Sequence, residues 1–435
     1  MSSRLLESSA QLRRDLAAMW AAPVDVVDLP RRRWNAATLT PDVPLHTFAV
    51  LPSTRRPRIV ATDSRAALAA TVRRFSHSTR IGQRSVRIAF AKAIRLGALD
   101  LVPRDRLAVV AADGTDGDVE DCLIARLAEI FDTDIAIGMS IGAVRANRKP
   151  VMHVLTPDGR TLGFAKLGVS PLARSLLRTE AENLRLLAQH SFRHLELPQV
   201  IHHDAWHEYE LLVMTALPTP LRRRHATGTL PVRAMEELAE CEGTSTSPLA
   251  ESSWFAGIVA MTAGTHDSSA DRFRSLLTQI GHRHGEQPVR FGCWHGDWGP
   301  WNMVWAGDRV RLWDWERFAR GVPYGLDVLY YAVPLTQGKT DVGRLRESTV
   351  RALAPFSLDR DEIDLLLPLY VTALCARFLP DSLTEHGEQL RPTVAALLEL
   401  LEGLLGAGTG SMRTVVAAHP PAPAQIDASP EEVRR

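Results

Sequence analysis

The period of apolar and polar residues changes several times along the chain, and those changes divide it. Residues 1 to about 42 mix charge, Ser and Pro with short apolar patches, which predicts one helix followed by an irregular arm. From Leu45 the runs 47–52 and 58–61 are rich in Val, Ile and Phe and bounded by Pro, the pattern of short strands. In 65–75 and 85–96, Ala, Ile and Leu recur every three or four residues, the spacing of one helix face. Together these predict a small α+β module over 43–115. At 113–118 Asp, Gly and Thr follow one another closely, which predicts a loop.

Beyond that loop the pattern predicts a helix over 119–130 and strands over 133–140, 150–156 and 161–167. The last two are joined by Pro157-Asp158-Gly159, a turn triplet. A helix over 172–189 and strands near 200–203 and 209–215 complete a lobe of about five strands and one helix. The segment 218–248, with Pro, Thr, Ser and the run Arg222-Arg223-Arg224, has the composition of a connector or surface insertion. Helical spacing dominates the remainder, interrupted by a strand-loop-strand segment at 290–315. From Ala407 onward, with Pro420, Pro421, Pro423 and Pro430, the composition predicts a disordered tail. No internal repeat is visible. The expected organisation is therefore a module at 1–125, a strand-rich lobe at 126–217, a helical lobe at 218–406 and a tail at 407–435.

Composition narrows the function classes. The 435 residues carry 51 Lys and Arg against 50 Asp and Glu, so no excess of positive charge is present to displace counterions from a nucleic acid. The longest nearly uncharged apolar run, 365–376, contains Pro368 and ends at Arg377, short of the roughly 20 residues that cross a bilayer. Charges at Arg4, Glu7, Arg13, Arg14 and Asp15 interrupt any secretory apolar core. A cytoplasmic protein with no membrane span is the expectation. Cys122, Cys241, Cys293 and Cys375 stand at neither metal-ligand nor redox spacing, which predicts buried, reduced thiols. His202, His203 and His207 fit a turn between two strands better than a metal site.

Chemistry concentrates in His295-Gly296-Asp297-Trp298-Gly299-Pro300-Trp301-Asn302 and in Arg311-Leu312-Trp313-Asp314-Trp315-Glu316. Phosphoryl transfer asks for a carboxylate at the attacking hydroxyl and for oxygen ligands on Mg²⁺ at the phosphates. Asp297 can orient or deprotonate the hydroxyl. Asn302, five residues on, can return its amide oxygen to a metal. A hairpin of 303–305 and 310–313, turned at Gly307-Asp308, would bring Asp314 back beside Asn302 as a second ligand, and Mg²⁺ prefers such hard oxygens.

In these motifs the sequence resembles the aminoglycoside phosphotransferase family of small-molecule kinases, with its H-G-D-x-x-x-x-N catalytic loop and its I-D-W-E-like metal motif about a dozen residues later. The resemblance covers about 130–405. It implies an α+β, two-lobed protein-kinase-like fold, with a small antiparallel-sheet N-lobe and a mainly helical C-lobe, here preceded by the α+β module. It also implies ATP and Mg²⁺ as cofactors, Asp297 as catalytic base, Asn302 and Asp314 as metal ligands, and His295 and Asp327 as supports of the catalytic loop. A kinase-like lobe further needs a strand lysine for the phosphates and a helix glutamate to hold it. Lys166 and Glu180 fit, with Glu182 the weaker alternative. The stretch 209–217, including Met214 and Ala216, falls where the family places the hinge whose backbone binds adenine. The glycine-rich phosphate loop is reduced to Gly138 and Gly142, followed by 143–148.

Six tryptophans lie within 22 residues, and Trp298 and Trp301, with Glu316, are candidate acceptor contacts, although core packing explains most such rings. The surplus of acid over base in 341–403, with Asp359, Asp361, Glu362 and Asp364 clustered, would attract a cationic acceptor. The expected activity is transfer of phosphate to a hydroxyl of a sugar, amino sugar or aminoglycoside-like molecule. A protein kinase is disfavoured by the absence of G-x-G-x-x-G and A-P-E segments. The alternative from another class is a nucleotide-binding regulator or scaffold.

Overall fold

The computed structural model describes residues 3–32, 45–75, 81–98, 104–112, 120–141, 149–219, 229–333, 335, 338–384, 387–406 and 415–417. They form two compact units, one built on Met1–Arg185 and Pro198–Thr219, the other on Leu186–Leu197 and Pro220–Ala422. The expected loop at 113–118, residues 142–148 of the reduced glycine loop and most of the expected tail lie outside the described residues.

The first unit carries, in chain order, α1 (Ser3–Ala17), β1 (Val24–Arg32), β2 (His46–Ser53), β3 (Arg56–Thr62), α2 (Arg65–Arg74), α3 (Ile81–Arg95), β4 (Arg104–Ala111), α4 (Leu123–Phe131), β5 (Ala136–Ser140), β6 (Val151–Leu155), β7 (Thr161–Gly168) and α5 (Pro171–Leu187). After β8 (Leu195–Glu196), which belongs to the second unit, it resumes with β9 (Val200–Trp206) and β10 (Tyr209–Thr215). All these strands except β8 form one sheet of nine, in the order β1-β4-β2-β3-β5-β6-β7-β10-β9, antiparallel throughout. The strands of the expected module and those of the lobe after it are therefore continuous. They join where β3 pairs with β5, Ile59 opposite Ser140 and Ala61 opposite Gly138.

Alternation along these strands gives the sheet two apolar faces. One packs under α1 and α4, where Leu12, Leu16, Leu123 and Leu127 meet Phe48, Val60, Leu107 and Val213. The other, over β2 and β3, takes α2 and α3 through Leu68, Val72, Ala91 and Ile94. Gly138 is needed for that packing, since a Cβ there would lie 1.9 Å from the Thr71 hydroxyl of α2. The irregular arm expected before residue 42 is corrected in part: 24–32 form the edge strand β1, with Val24 and Val26 against the core, Asp25 between them on the opposite face and Asp28 exposed further along. Charges interleaved on an edge strand dilute its apolar signal.

The second unit contains α6 (Val232–Ala239), β11 (Ser245–Pro248), α7 (Ser253–Thr262), α8 (Ser268–His284), β12 (Pro288–Trp294), β13 (Met303–Ala306), β14 (Arg309–Leu312), β15 (Ala319–Pro323), α9 (Leu326–Ala332), β16 (Gly338–Thr340), α10 (Val342–Leu353), α11 (Arg360–Ser382), α12 (Arg391–Gly406) and β17 (Val415–Ala417). It is mainly helical, as expected. Two expectations are corrected. The proposed connector holds α6, whose Ala234, Met235 and Leu238 are buried, and β11, which pairs with β12. Residues 415–417 of the proposed tail pair with β16. Helix α11 is long and apolar enough to cross a membrane by composition, but 72% of that stretch is buried inside the protein, where it forms core. Its Asp359 and Glu362 close a reciprocal N-terminal cap, and Arg360 pairs with Asp364 at 3.2 Å, which gives much of the acidic cluster a structural use.

Candidate active site

In the first unit, β7 places Lys166 and α5 places Glu180, and the two meet. The Lys166 ammonium donates to both carboxylate oxygens of Glu180 at 2.7 Å. Lys166 is 7% exposed and Glu180 not at all, whereas Glu182 is exposed, which settles the choice between the two glutamates. Two opposite charges out of water hold each other in place strongly, because either alone would carry a large desolvation cost. Met214 is buried in β10 opposite Phe164 of β7, and Ala216 follows the end of that strand.

In the second unit, β12 runs into the loop that starts at His295. Gly296 turns it with φ of +77°, and a Cβ there would lie 2.6 Å from the Arg317 carbonyl oxygen, so no larger residue fits. Asp327, at the start of α9, pins the backbone: its carboxylate accepts the His295 N–H at 2.6 Å and the Gly296 N–H at 3.0 Å. Burial raises its pKa to about 7 against the opposing effect of those two hydrogen bonds. The His295 ring is wholly enclosed, edge-on to Trp315 and Trp298, and accepts the Asp297 N–H on Nδ1 at 3.2 Å. Burial lowers its pKa to about 4, offset in part by Asp297 and Asp314, so the ring is neutral at pH 7.

The Asp297 carboxylate is held on both oxygens. Oδ1 accepts the Tyr330 hydroxyl at 2.5 Å and lies 3.6 Å from the Arg377 guanidinium; Oδ2 accepts the Asn302 amide at 3.0 Å. Asn302 also donates to the Asp297 carbonyl at 3.0 Å, which closes the five-residue loop and commits its amide nitrogen. Its remaining amide oxygen is the atom suited to a metal. Arg377, on α11, donates to the Gly296 carbonyl at 2.9 Å as well. Burial works against its charge, yet Asp297, Tyr330 and Asp381 together raise its pKa above the usual arginine value.

The hairpin of β13 and β14 forms as expected, and the Trp313 N–H donates to the Asn302 carbonyl at 3.0 Å, which sets Asp314 just beyond the loop. Asp314 takes a left-handed backbone, φ 76° and ψ 59°, a conformation that Asp tolerates better than most residues but at some cost. Trp298 is 0% exposed and Trp301 half-buried, its ring 6.4 Å from that of Tyr330. Trp298 thus packs the loop rather than offering a face. Glu316 is half-buried beside Arg317. Sequence reasoning missed Tyr330 and Arg377 as partners of Asp297. The one visible trace was an arginine ending the long apolar run of α11.

No protein-family model and no curated protein matches the chain. Solved structures do, over about two thirds of it. A ternary complex of a thermostable mutant of aminoglycoside phosphotransferase APH(4)-Ia with ADP and hygromycin B is 14% identical, with 66% of this chain and 99% of that one covered and a TM-score of 0.45. The streptomycin-ATP-APH(2″)-IIa ternary complex is 13% identical, covering 66% and 99%, with a TM-score of 0.41. Amicoumacin kinase hAmiN, in complex with AMP-PNP, Ca²⁺ and Ami, is 12% identical, covering 61% and 88%, with a TM-score of 0.38.

Proposed function

We propose that the chain is a phosphotransferase that moves the γ-phosphoryl group of a nucleoside triphosphate, ATP in the sequence reading, to a hydroxyl of a small molecule such as a sugar, amino sugar or aminoglycoside-like acceptor. The observation that carries this reading is the Asp297 carboxylate. It is fixed on both oxygens, closed onto Asn302 five residues away, and seated on a loop whose backbone Asp327 clamps. Little covalent chemistry is asked of the protein in phosphoryl transfer, so a rigidly placed carboxylate is what the reaction needs.

Asp297 orients the acceptor hydroxyl and takes its proton as the oxygen attacks phosphorus. Tyr330 and Arg377 hold that carboxylate in place and aim it. Lys166, held by Glu180, binds the nucleotide phosphates. Backbone groups of the segment 214–217 would hydrogen-bond the adenine. Asn302 and Asp314 supply hard oxygens that suit Mg²⁺, which when bound would neutralise phosphate charge. The acidic residues of α10 to α12 favour a cationic acceptor.

The test follows γ-labelled ATP and, in parallel, GTP with Mg²⁺ and a small-molecule extract. The wild type should yield a labelled small molecule and Asp297→Asn none, with nucleotide affinity unchanged. Equal label transfer by both proteins would remove Asp297 from its role.

A further inference from the structure

Arg74, at the end of α2, reaches across the face of the sheet that bears Lys166. Its guanidinium lies over the Phe164 ring, 4.5 Å from Cζ to the centroid. Its Nη1 donates to the Leu217 carbonyl at 3.0 Å and to the Thr219 hydroxyl at 3.3 Å. His153 of β6 also stacks on the Phe164 ring, at 5.0 Å and 11°, and shares a hydrogen bond of 2.8 Å with Thr161. Burial lowers the Arg74 pKa to about 10, which leaves it charged at neutral pH, and lowers that of His153 to about 3.

Phe164 and Lys166 are two residues apart on β7, so their side chains leave the same face, about 6.6 Å apart along the strand. A nucleotide whose phosphates rest on Lys166 needs, a short way along that face, a flat surface for its base and a backbone acceptor for the base's amino group. Phe164 and the carbonyl of Leu217, just past the end of β10, are those two features. A guanidinium is planar, stacks on rings and donates in its own plane, much as the edge of an aminopurine does. Arg74 makes both contacts that the base would make.

We propose that Arg74 is an internal stand-in for the nucleotide base: it takes the base subsite, and a purine competes with it for the Phe164 ring and the Leu217 carbonyl. This rests on the phosphotransferase reading and deepens it. α2, part of the segment for which the sequence offers no chemistry, then sets how readily nucleotide enters.

The competition concerns the base alone, so a base-free probe separates it from any general effect on the site. ATP, ADP and inorganic tripolyphosphate are titrated calorimetrically with Mg²⁺ into the full-length wild type, Arg74→Ala and Arg74→Lys. Arg74→Ala should bind ATP and ADP about tenfold more tightly, the factor that 1.4 kcal/mol represents, and tripolyphosphate as the wild type does. Arg74→Lys, which keeps the charge but not the planar fork, should fall between. Unchanged or weaker nucleotide binding with tripolyphosphate unaffected would overturn the proposal and leave the phosphotransferase reading standing. So would a parallel change in all three ligands, because Arg74 would then act on something other than the base. If the wild type and both variants bind neither nucleotide nor tripolyphosphate, the phosphotransferase reading falls, and this inference with it.

Discussion

Each unit buries a cluster of charge, and the two clusters are built on different plans. In the first, Lys166 and Glu180 stand 14 residues apart and meet directly, both carboxylate oxygens accepting from one ammonium. In the second, Asp297 draws on Asn302 within its own loop, on Tyr330, 33 residues on, and on Arg377, which lies 81 residues beyond Gly296. A direct pair loses its contact when either member is lost. A shared network loses one donor at a time and keeps the rest. The first plan suits a residue that must simply be held in place. The second suits a carboxylate whose aim and charge must survive while it handles a proton.

The comparison breaks hardest at Asp297 itself, which the network serves but cannot replace. Asp297→Asn keeps the size and most of the hydrogen-bonding shape but cannot take a proton, so phosphotransfer should fall by about 10²–10⁴-fold, the usual range for a general base. Nucleotide affinity should hold. A rate within threefold of wild type in a coupled assay would show that the carboxylate is no base.

The direct pair is next. Lys166→Met takes the ammonium away from the fully buried Glu180 carboxylate and should cost about 3–5 kcal/mol of stability. Lys166→Met with Glu180→Leu removes both charges and should recover most of that loss while remaining unable to hold phosphates. Chemical denaturation of the two variants checks this. If the double variant is as unstable as the single, the loss does not come from the unpaired charge.

The same contrast governs what could be read from the chain before folding. The loop from His295 to Asn302 and the Lys166–Glu180 pair were legible because each is set by short spacing or by the order of one strand and one helix. Arg377 was visible only as a charge at the end of an apolar run, since nothing local says that this charge turns toward Gly296 and Asp297. Helix α6 was hidden in a segment whose Pro, Ser and Thr speak for a loop, because eight residues give a weak periodic signal against that background. The junction of β3 with β5 was not legible at all. Strand patterns tell which face is buried but not which strand lies alongside.

Acidity sharpens the picture of the loop that carries Asp297. The His295 pKa is depressed to about 4, so its neutral, buried state contributes stability that is present above pH 6.5 and lost as pH falls through about 4. Asp327, raised to about 7, works the other way: its contribution is present below the ordinary value of 3.8 and lost as pH rises through about 7. Between pH 6.5 and 4 the two oppose each other, and wild-type stability should change little on their account. In Asp327→Asn only His295 of this pair titrates, so over the same interval the variant should lose roughly 3 kcal/mol more than the wild type. Denaturation midpoints at pH 6.5 and 4 compare the two proteins directly. Parallel curves would mean that the His295 ring is not sealed from water.

The smallest effect tests whether the second cluster is shared. Tyr330→Phe removes a single donor to Asp297 and leaves the aromatic ring in place beside Trp301. A hydrogen bond to a charged group is worth about 1.5–3 kcal/mol, and the lower end applies where other donors remain. Arg377 stands 3.6 Å from the same oxygen and can take up part of the loss. The expected outcome is a fall of about tenfold in kcat, with KM for nucleotide unchanged. In an Arg377→Met background, where no second donor covers Oδ1, the same substitution should cost more, by an interaction term of the size that coupled neighbours show. Strict additivity of the two substitutions in a double-mutant cycle would mean that Tyr330 and Arg377 act on Asp297 independently, and the cluster would then be two separate contacts that happen to end on one oxygen.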